Sequence, residues 1–303
     1  MANNNTMSEM PFYNISTYQL IDVMRTNGLN VKNDMRENVS FYNNLKSKCN
    51  SEILKAVDFS YNTESEFNNL YRSSLNSIEL SVFHINIRSL NKNLRGLIEL
   101  LQTLELDFDV LVLTEIWNYN LEFYTKIFKN YNFRYVTPHE SNIDGVGILV
   151  KKNYTCNELT DIRIPSTNST SKVESLWLEI SCNRKKYIVG GIYRHPNQQS
   201  IKDFTIQLDK SLEYILKFHI PCIIAGDLNV DISKYNTHSE TTDYVNNLLI
   251  NDFIPMIIMP TRITIKSATI IDHIYYHAGS KTTQPPLVVM LSSWVMCIIG
   301  IDR

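Results

Sequence analysis

The sequence predicts an α/β sandwich, two packed β-sheets flanked by helices. Three observations carry this. Segments of strand type outnumber segments of helix type. The two kinds are mixed without the strict alternation that builds a doubly wound parallel sheet. Asp109-Val110-Leu111-Val112-Leu113 is a continuous apolar run, the pattern of a strand buried on both faces.

The elements follow in order. Residues 1–75 are polar and Asn-rich, with weak helical spacing around Tyr18, Ile21 and Met24 and again around Leu54 and Val57. They predict a loosely folded leader with one or two short helices. The pattern changes at Ile78, and Leu80 to Ile87 is a strand. Ser89 or Asn91 caps a helix with Leu94, Leu97, Ile98, Leu101 and Leu104 on one face. After the apolar run at 109–113, strands are predicted at Phe133–Val136, Val146–Val150, Ser175–Ile180 and Lys186–Tyr193. Ile201, Phe204, Leu208, Leu212 and Ile215 mark an amphipathic helix. A strand at 221–225 follows, then a helix opened by Thr241 or Thr242 with Tyr244, Val245, Leu248 and Leu249, then a strand from Thr269 to Tyr275. Gly145-Val146-Gly147 is turn chemistry and lacks the lysine and spacing of a phosphate loop.

Composition narrows the function. The chain has 303 residues, 44% hydrophobic and 20% charged, which is globular composition. A net charge of -2 excludes a bulk polycation that coats nucleic acid, though a local basic groove remains compatible with it. Cys49, Cys156, Cys182, Cys222 and Cys297 are scattered, with no CxxC pair, so reduced thiols and no zinc site are expected. The first residues lack the pattern of a signal peptide, which predicts an intracellular protein, cytoplasmic or nuclear rather than secreted. Leu287 to Ile301 is apolar but interrupted by Ser292, Ser293 and Gly300. It falls short of the roughly 20 apolar residues of a spanning helix and is read as a buried strand or an out-of-pattern tail, with no membrane partner.

Polar residues recur at strand ends. Ala225-Gly226-Asp227-Leu228-Asn229 follows an apolar strand and delivers a carboxylate and a carboxamide, two residues apart, to a rim. Asn86, Glu115 and Tyr193 end other strands, and Asp272 lies inside an apolar one. Taken singly, each has an ordinary reading: Asn86 and Asn229 as turn residues, Glu115 as a surface carboxylate, Tyr193 as a core aromatic. Asp272 is the exception, because a carboxylate flanked by Ile270, Ile271, Ile274 and Tyr275 needs a partner, often a histidine. Together the carboxylates point to metal-assisted phosphodiester chemistry.

Asn86 in HINIRSL, Glu115 in LTEIW, Tyr193 in GGIYRHP, Asp227 and Asn229 in AGDLN and Asp272 in TIIDHI follow the order of the endonuclease/exonuclease/phosphatase superfamily. With DGVGILVKK and TRIT, the stretch 78–278 resembles the apurinic-type endonuclease domain of Jockey-like non-LTR retrotransposons. The resemblance implies a DNase I-like, four-layer α/β sandwich, two mixed sheets flanked by helices, with the site at one edge. It implies Glu115 as ligand to Mg²⁺ (or Mn²⁺), with Asn86 supporting the metal and the scissile phosphate. Asp227 would orient or deprotonate the attacking water, Asn229 hold the phosphate, and Tyr193 bond the phosphate or face the leaving side. Arg88 and Arg194 are candidate contacts to the phosphate backbone of double-stranded DNA, with ordinary surface charge as the rival reading. His195 and His273 are read as structural.

The family closes with Ser-Asp-His some 20 residues or more after the position of Asp272, and there the resemblance breaks. The tail reads Leu291-Ser292-Ser293-Trp294, with neither Asp nor His. The expectation is therefore an endonuclease domain of retrotransposon origin with impaired activity and an Asp272 lacking its partner. A lost final strand would also leave a sheet edge exposed. Two rival readings are an inactive remnant that binds DNA or protein and a phosphatase acting on a phosphoinositide or nucleotide.

Overall fold

The computed structural model describes residues 61–74, 78–117, 121–136, 144–162, 164, 173–196, 200–264, 267–279, 288–291 and 294–300. The helical spacings around Tyr18 and Leu54 lie outside these residues.

One sheet has seven strands in the order β1-β14-β15-β2-β3-β5-β4. They are β1 (Tyr61–Asn62), β14 (Val288–Leu291), β15 (Trp294–Gly300), β2 (Ile78–Asn86), β3 (Val110–Thr114), β5 (Val146–Lys151) and β4 (Tyr131–Val136). The second has six, in the order β10-β13-β9-β8-β7-β6. They are β10 (Ile254–Pro255), β13 (Asp272–His277), β9 (Cys222–Asp227), β8 (Lys185–Arg194), β7 (Val173–Cys182) and β6 (Thr155–Glu158). A small ribbon pairs β11 (Arg262–Ile263) with β12 (Ala268–Thr269). Both large sheets are mixed: β2 and β3 run parallel, as do β8 and β9, while the pairs β3–β5, β7–β8 and β9–β13 are antiparallel.

The helices complete four layers. α1 (Glu64–Ser74), α2 (Leu90–Thr103) and α3 (Leu121–Ile127) lie on the first sheet, where Phe67, Leu97, Leu100 and Tyr124 join Phe83, Leu111 and Leu113 in one apolar cluster. α4 (Ile201–Leu216) and α5 (Ser239–Ile250) cover the second sheet through Phe204, Leu208, Tyr244 and Leu248. Alternation along β2 and β3 divides the side chains: Val82, Val110 and Val112 face the second sheet, while Phe83, Leu111 and Leu113 face the helices. The DNase I-like sandwich expected from the sequence is the fold observed.

Local chemistry sets the boundaries. Ser89 caps α2 by accepting from the Lys92 amide, whereas α5 is capped by His238 and opens earlier than Thr241. α1 carries a reciprocal capping box: the Thr63 hydroxyl accepts from the Glu66 amide, and the Glu66 carboxylate accepts from the Thr63 amide. β1 and α1 precede the expected boundary at residue 76, yet β1 pairs with β14 and Arg72 binds Glu105. No disulfide joins Cys156, Cys182 or Cys222.

The tail corrects one expectation. β14 and β15 pair with each other, and β15 pairs with β2, so β2 lies inside the sheet and not at an exposed edge. Among the described residues no helix is long and apolar enough to cross a membrane.

Candidate active site

The site forms where β2, β3, β8, β9 and β13 deliver residues to one end of the sandwich. Asn86 ends β2 in register with Thr114, so Glu115, the next residue of the β3 strand end, falls beside it. Glu115 then turns with φ 52°, and its carbonyl accepts from the Ser89 amide. Ten non-glycine residues among those described take positive φ, and Arg88, Ser89, Glu115, Trp117, Asp144 and Asn229 among them crowd this rim. Such conformations cost free energy and concentrate where side chains must be aimed.

Asn86 is the hub. Its Nδ2 donates to Glu115 Oε1 and to Asp227 Oδ2, each at 2.7 Å. Both amide protons are thereby engaged in short bonds to carboxyl oxygens. Its Oδ1 accepts the Arg88 amide at 3.2 Å and keeps a lone pair for a further partner.

Asp227 reaches this point because the chain ahead of it can approach β8 closely. A Cβ on Gly226 would sit 1.8 Å from the Ile192 carbonyl oxygen, so only glycine fits there. Asp227 is 4% exposed, and its Oδ1 accepts the Asn229 amide at 3.1 Å. Burial pushes its carboxyl well above the usual carboxylate range, and the neighbouring Asp272 and Glu115 push the same way. The bonds from Asn86 and Asn229 oppose that shift.

Asp272 pairs directly with Asp227 across the β9–β13 ladder. It has a histidine neighbour, though one from β2 rather than from the tail. His84, fully buried on β2, places Nε2 3.4 Å from Asp272 Oδ1 and Nδ1 3.2 Å from the Val112 carbonyl. Both partners are acceptors, and a neutral imidazole has a single N–H to offer. His273 is structural, as expected: its Nε2 meets the Ile270 carbonyl and its Nδ1 meets the Tyr244 hydroxyl.

Tyr193 is 3% exposed, and its phenol is held protonated by burial and by Glu115, Asp144, Asp227 and Glu174. Asp144 and Glu174 were not picked out from the sequence. Asp144 precedes Gly145 and reads as turn chemistry, yet it is buried and its carbonyl accepts the Trp117 amide. Glu174 lies opposite Tyr193 in the β7–β8 ladder.

The two arginines separate. Arg88 is exposed at the rim. Arg194 is 3% exposed and faces the helix layer, with its guanidinium 5.8 Å from the Phe204 ring. That burial corrects its reading as a contact to the DNA backbone.

The donor set is all oxygen, which suits a hard cation that keeps several waters. Glu115 and the Asn86 carbonyl fit such an ion, and the mutual repulsion around Asp227 gives the site a use for positive charge. Among the described residues no three His, Cys, Asp or Glu side chains form a ready-made metal cage.

A model of the Endonuclease/Exonuclease/phosphatase family matches residues 83–293. No curated protein matches the chain. Among solved structures, the endonuclease domain of TRAS1, a telomere-specific non-LTR retrotransposon, is similar at 12% identity. That match covers 74% of this chain and 98% of that one, with a TM-score of 0.54. The 3′ phosphatase NExo from Neisseria, bound to a product DNA hairpin, is similar at 14% identity over 74% of this chain and 100% of its own, TM-score 0.53. The human Nocturnin catalytic domain is similar at 14% identity over 75% and 95%, TM-score 0.51.

Proposed function

Because this chain belongs to the endonuclease/exonuclease/phosphatase family, we propose that it is a Mg²⁺-dependent DNA endonuclease domain of retrotransposon origin, nicking the phosphodiester backbone at low turnover. The observation that carries this reading is the Asn86 bridge. One carboxamide holds a half-exposed carboxylate, Glu115, and a buried one, Asp227, in fixed positions. A cation held by Glu115 and Asn86 would supply Lewis-acid stabilisation to the phosphoryl and leaving oxygens.

The remaining roles belong to the chain itself. Asp227, with its raised pKa, is suited to take a proton from the attacking water. Tyr193 retains its proton and can donate to a phosphate oxygen. Asn229 gives one amide proton to the Arg194 carbonyl at 2.7 Å and keeps a second for the phosphate. Arg88 offers an exposed guanidinium to the DNA backbone, a contact that positions without reading sequence. The low turnover follows from the tail sequence Ser292-Ser293-Trp294, which supplies neither the carboxylate nor the imidazole donor of the family's closing motif. DNA as substrate is supported by the INIRSL and LTEIW motifs, and by fold likeness to a retrotransposon endonuclease and to a phosphatase bound to DNA.

The test is nicking of supercoiled plasmid with Mg²⁺ or with EDTA, beside Glu115→Ala. Slow nicking that needs both Mg²⁺ and Glu115 is the expected result. Plasmid binding without nicking, unchanged by Mg²⁺ or by Asp227→Asn, would favour a binding remnant instead.

A further inference from the structure

Arg194 is buried, yet a guanidinium withdrawn from water is costly unless its donors are taken up. Period-two alternation on β8 turns Tyr193 to the site and Arg194 to the opposite face, under the loop that follows Asp227. There Nη1 donates to the Asn229 carbonyl at 3.1 Å and to the Leu228 carbonyl at 3.4 Å. Asn229 returns the bond through Nδ2 to the Arg194 carbonyl at 2.7 Å. Asn229 itself is left-handed, with φ 49°. The Leu228 amide is held by the Ile271 carbonyl, so this loop links β9 to the approach of β13.

We infer that Arg194 is a positioning residue, whose Nη1, fixed in the planar guanidinium, holds the Leu228 and Asn229 carbonyls and so aims the Asn229 carboxamide and the Asp227 carboxylate at the substrate phosphate. The inference rests on the phosphodiesterase reading for what is aimed at, but the restraint on the loop stands apart from it. Lysine cannot reproduce the role fully, because it presents a compact charge on a flexible stem where arginine presents a planar fork. The Phe204 ring beneath the guanidinium favours the same planar group.

The experiment compares the full chain with Arg194→Met and Arg194→Lys in three readouts. Amide hydrogen exchange at Leu228 and Asn229 is expected to speed about tenfold in Arg194→Met, with β2 and β3 still protected. The plasmid-nicking kcat is expected to fall about 100-fold with KM within about twofold, since a small misplacement of a reacting group is costly. Arg194→Lys is expected to recover part of both. A weaker DNA affinity with a reduced salt slope and unchanged exchange would make Arg194 a phosphate contact and overturn the inference. Uniformly faster exchange across all strands, with kcat per folded molecule intact, would make it a general stability residue and overturn it too. If the unaltered protein nicks nothing, the phosphodiesterase reading falls, while the exchange measurement still decides whether Arg194 restrains the loop.

Discussion

Asp227 and Asp272 stand directly opposite one another in the β9–β13 ladder, two buried carboxyl groups on neighbouring strands. Like charges facing across an antiparallel pair destabilise it. The site is therefore built at the expense of the fold, and the expense is measurable.

Asp227→Asn tests it. A carboxyl whose folded pKa lies above its unfolded value favours folding while protonated. That stability is present below about pH 4 and is lost as pH rises through the raised folded pKa. Above that folded value, and without divalent cations, the carboxylate is a liability, caused first by burial and then by Asp272 and Glu115. Asp227→Asn is expected to melt higher in EDTA, by roughly 2–4 °C per kcal/mol relieved, while losing nicking. A lower melting temperature in EDTA would show that this carboxylate is not strained.

Asn86→Ala removes the bridge between Glu115 and Asp227. Nicking at saturating Mg²⁺ is expected to fall about 10²–10³-fold, the range for losing one preorganised polar group. Asn86→Asp is expected to be as poor, because a third carboxylate replaces two donors. Equal rates for Asn86→Asp and the unaltered protein would show that the amide protons do not matter.

Ser293→Asp with Trp294→His restores the closing motif. β15 begins at Trp294 and runs antiparallel to β2, with Met296 paired to Phe83, so the start of β15 lies toward the Asn86 end of β2. A restored general acid is expected to raise the nicking rate about 10²–10⁴-fold. No gain, with the fold intact by circular dichroism, would mean that this chain does not depend on that motif.

His273 makes stability depend on pH. Burial lowers its pKa to about 4, against bonds to the Ile270 and Val230 backbone and the charge of Asp272 that act the other way. The folded state thus holds it neutral, and the unfolded state binds the extra proton first. Its contribution is complete above about pH 6.5 and fades as pH falls toward 4, a loss of about 3 kcal/mol. Urea midpoints measured between pH 7 and 5 are expected to drop less in His273→Gln than in the unaltered chain. Parallel slopes would exclude His273 as the source.

The sequence was legible wherever periodicity carried the information. The helices on Leu97 and Leu208 and the central strands follow from apolar spacing, and the five strand-end residues Asn86, Glu115, Tyr193, Asp227 and Asp272 do gather at one end. What escaped depends on pairing across distance. His84 is one polar residue in an apolar strand until β13 is laid over it. Glu174 is an ordinary alternating acid until register sets it against Tyr193. Arg194 could have been placed by strand alternation alone, since its neighbour Tyr193 already claims the site-facing side. The tail reads as apolar anomaly because its meaning, a hairpin that flanks β2, lies in partners far away in the chain.

Asn62 reaches the Met290 carbonyl, 228 residues later in the chain, and the strand bearing Asn86 is flanked by β15. During synthesis, then, one side of β2 stays unpaired until β15, far along the chain, has been made. Long-range pairing of this kind folds slowly and leaves a sticky edge in the meantime. A chain that stopped before residue 288 would carry Asn86, Glu115, Tyr193, Asp227 and Asp272 on an open sheet, a candidate for chaperone capture and degradation. The strand that carries Asn86 is thus sealed on that side only when β15 arrives.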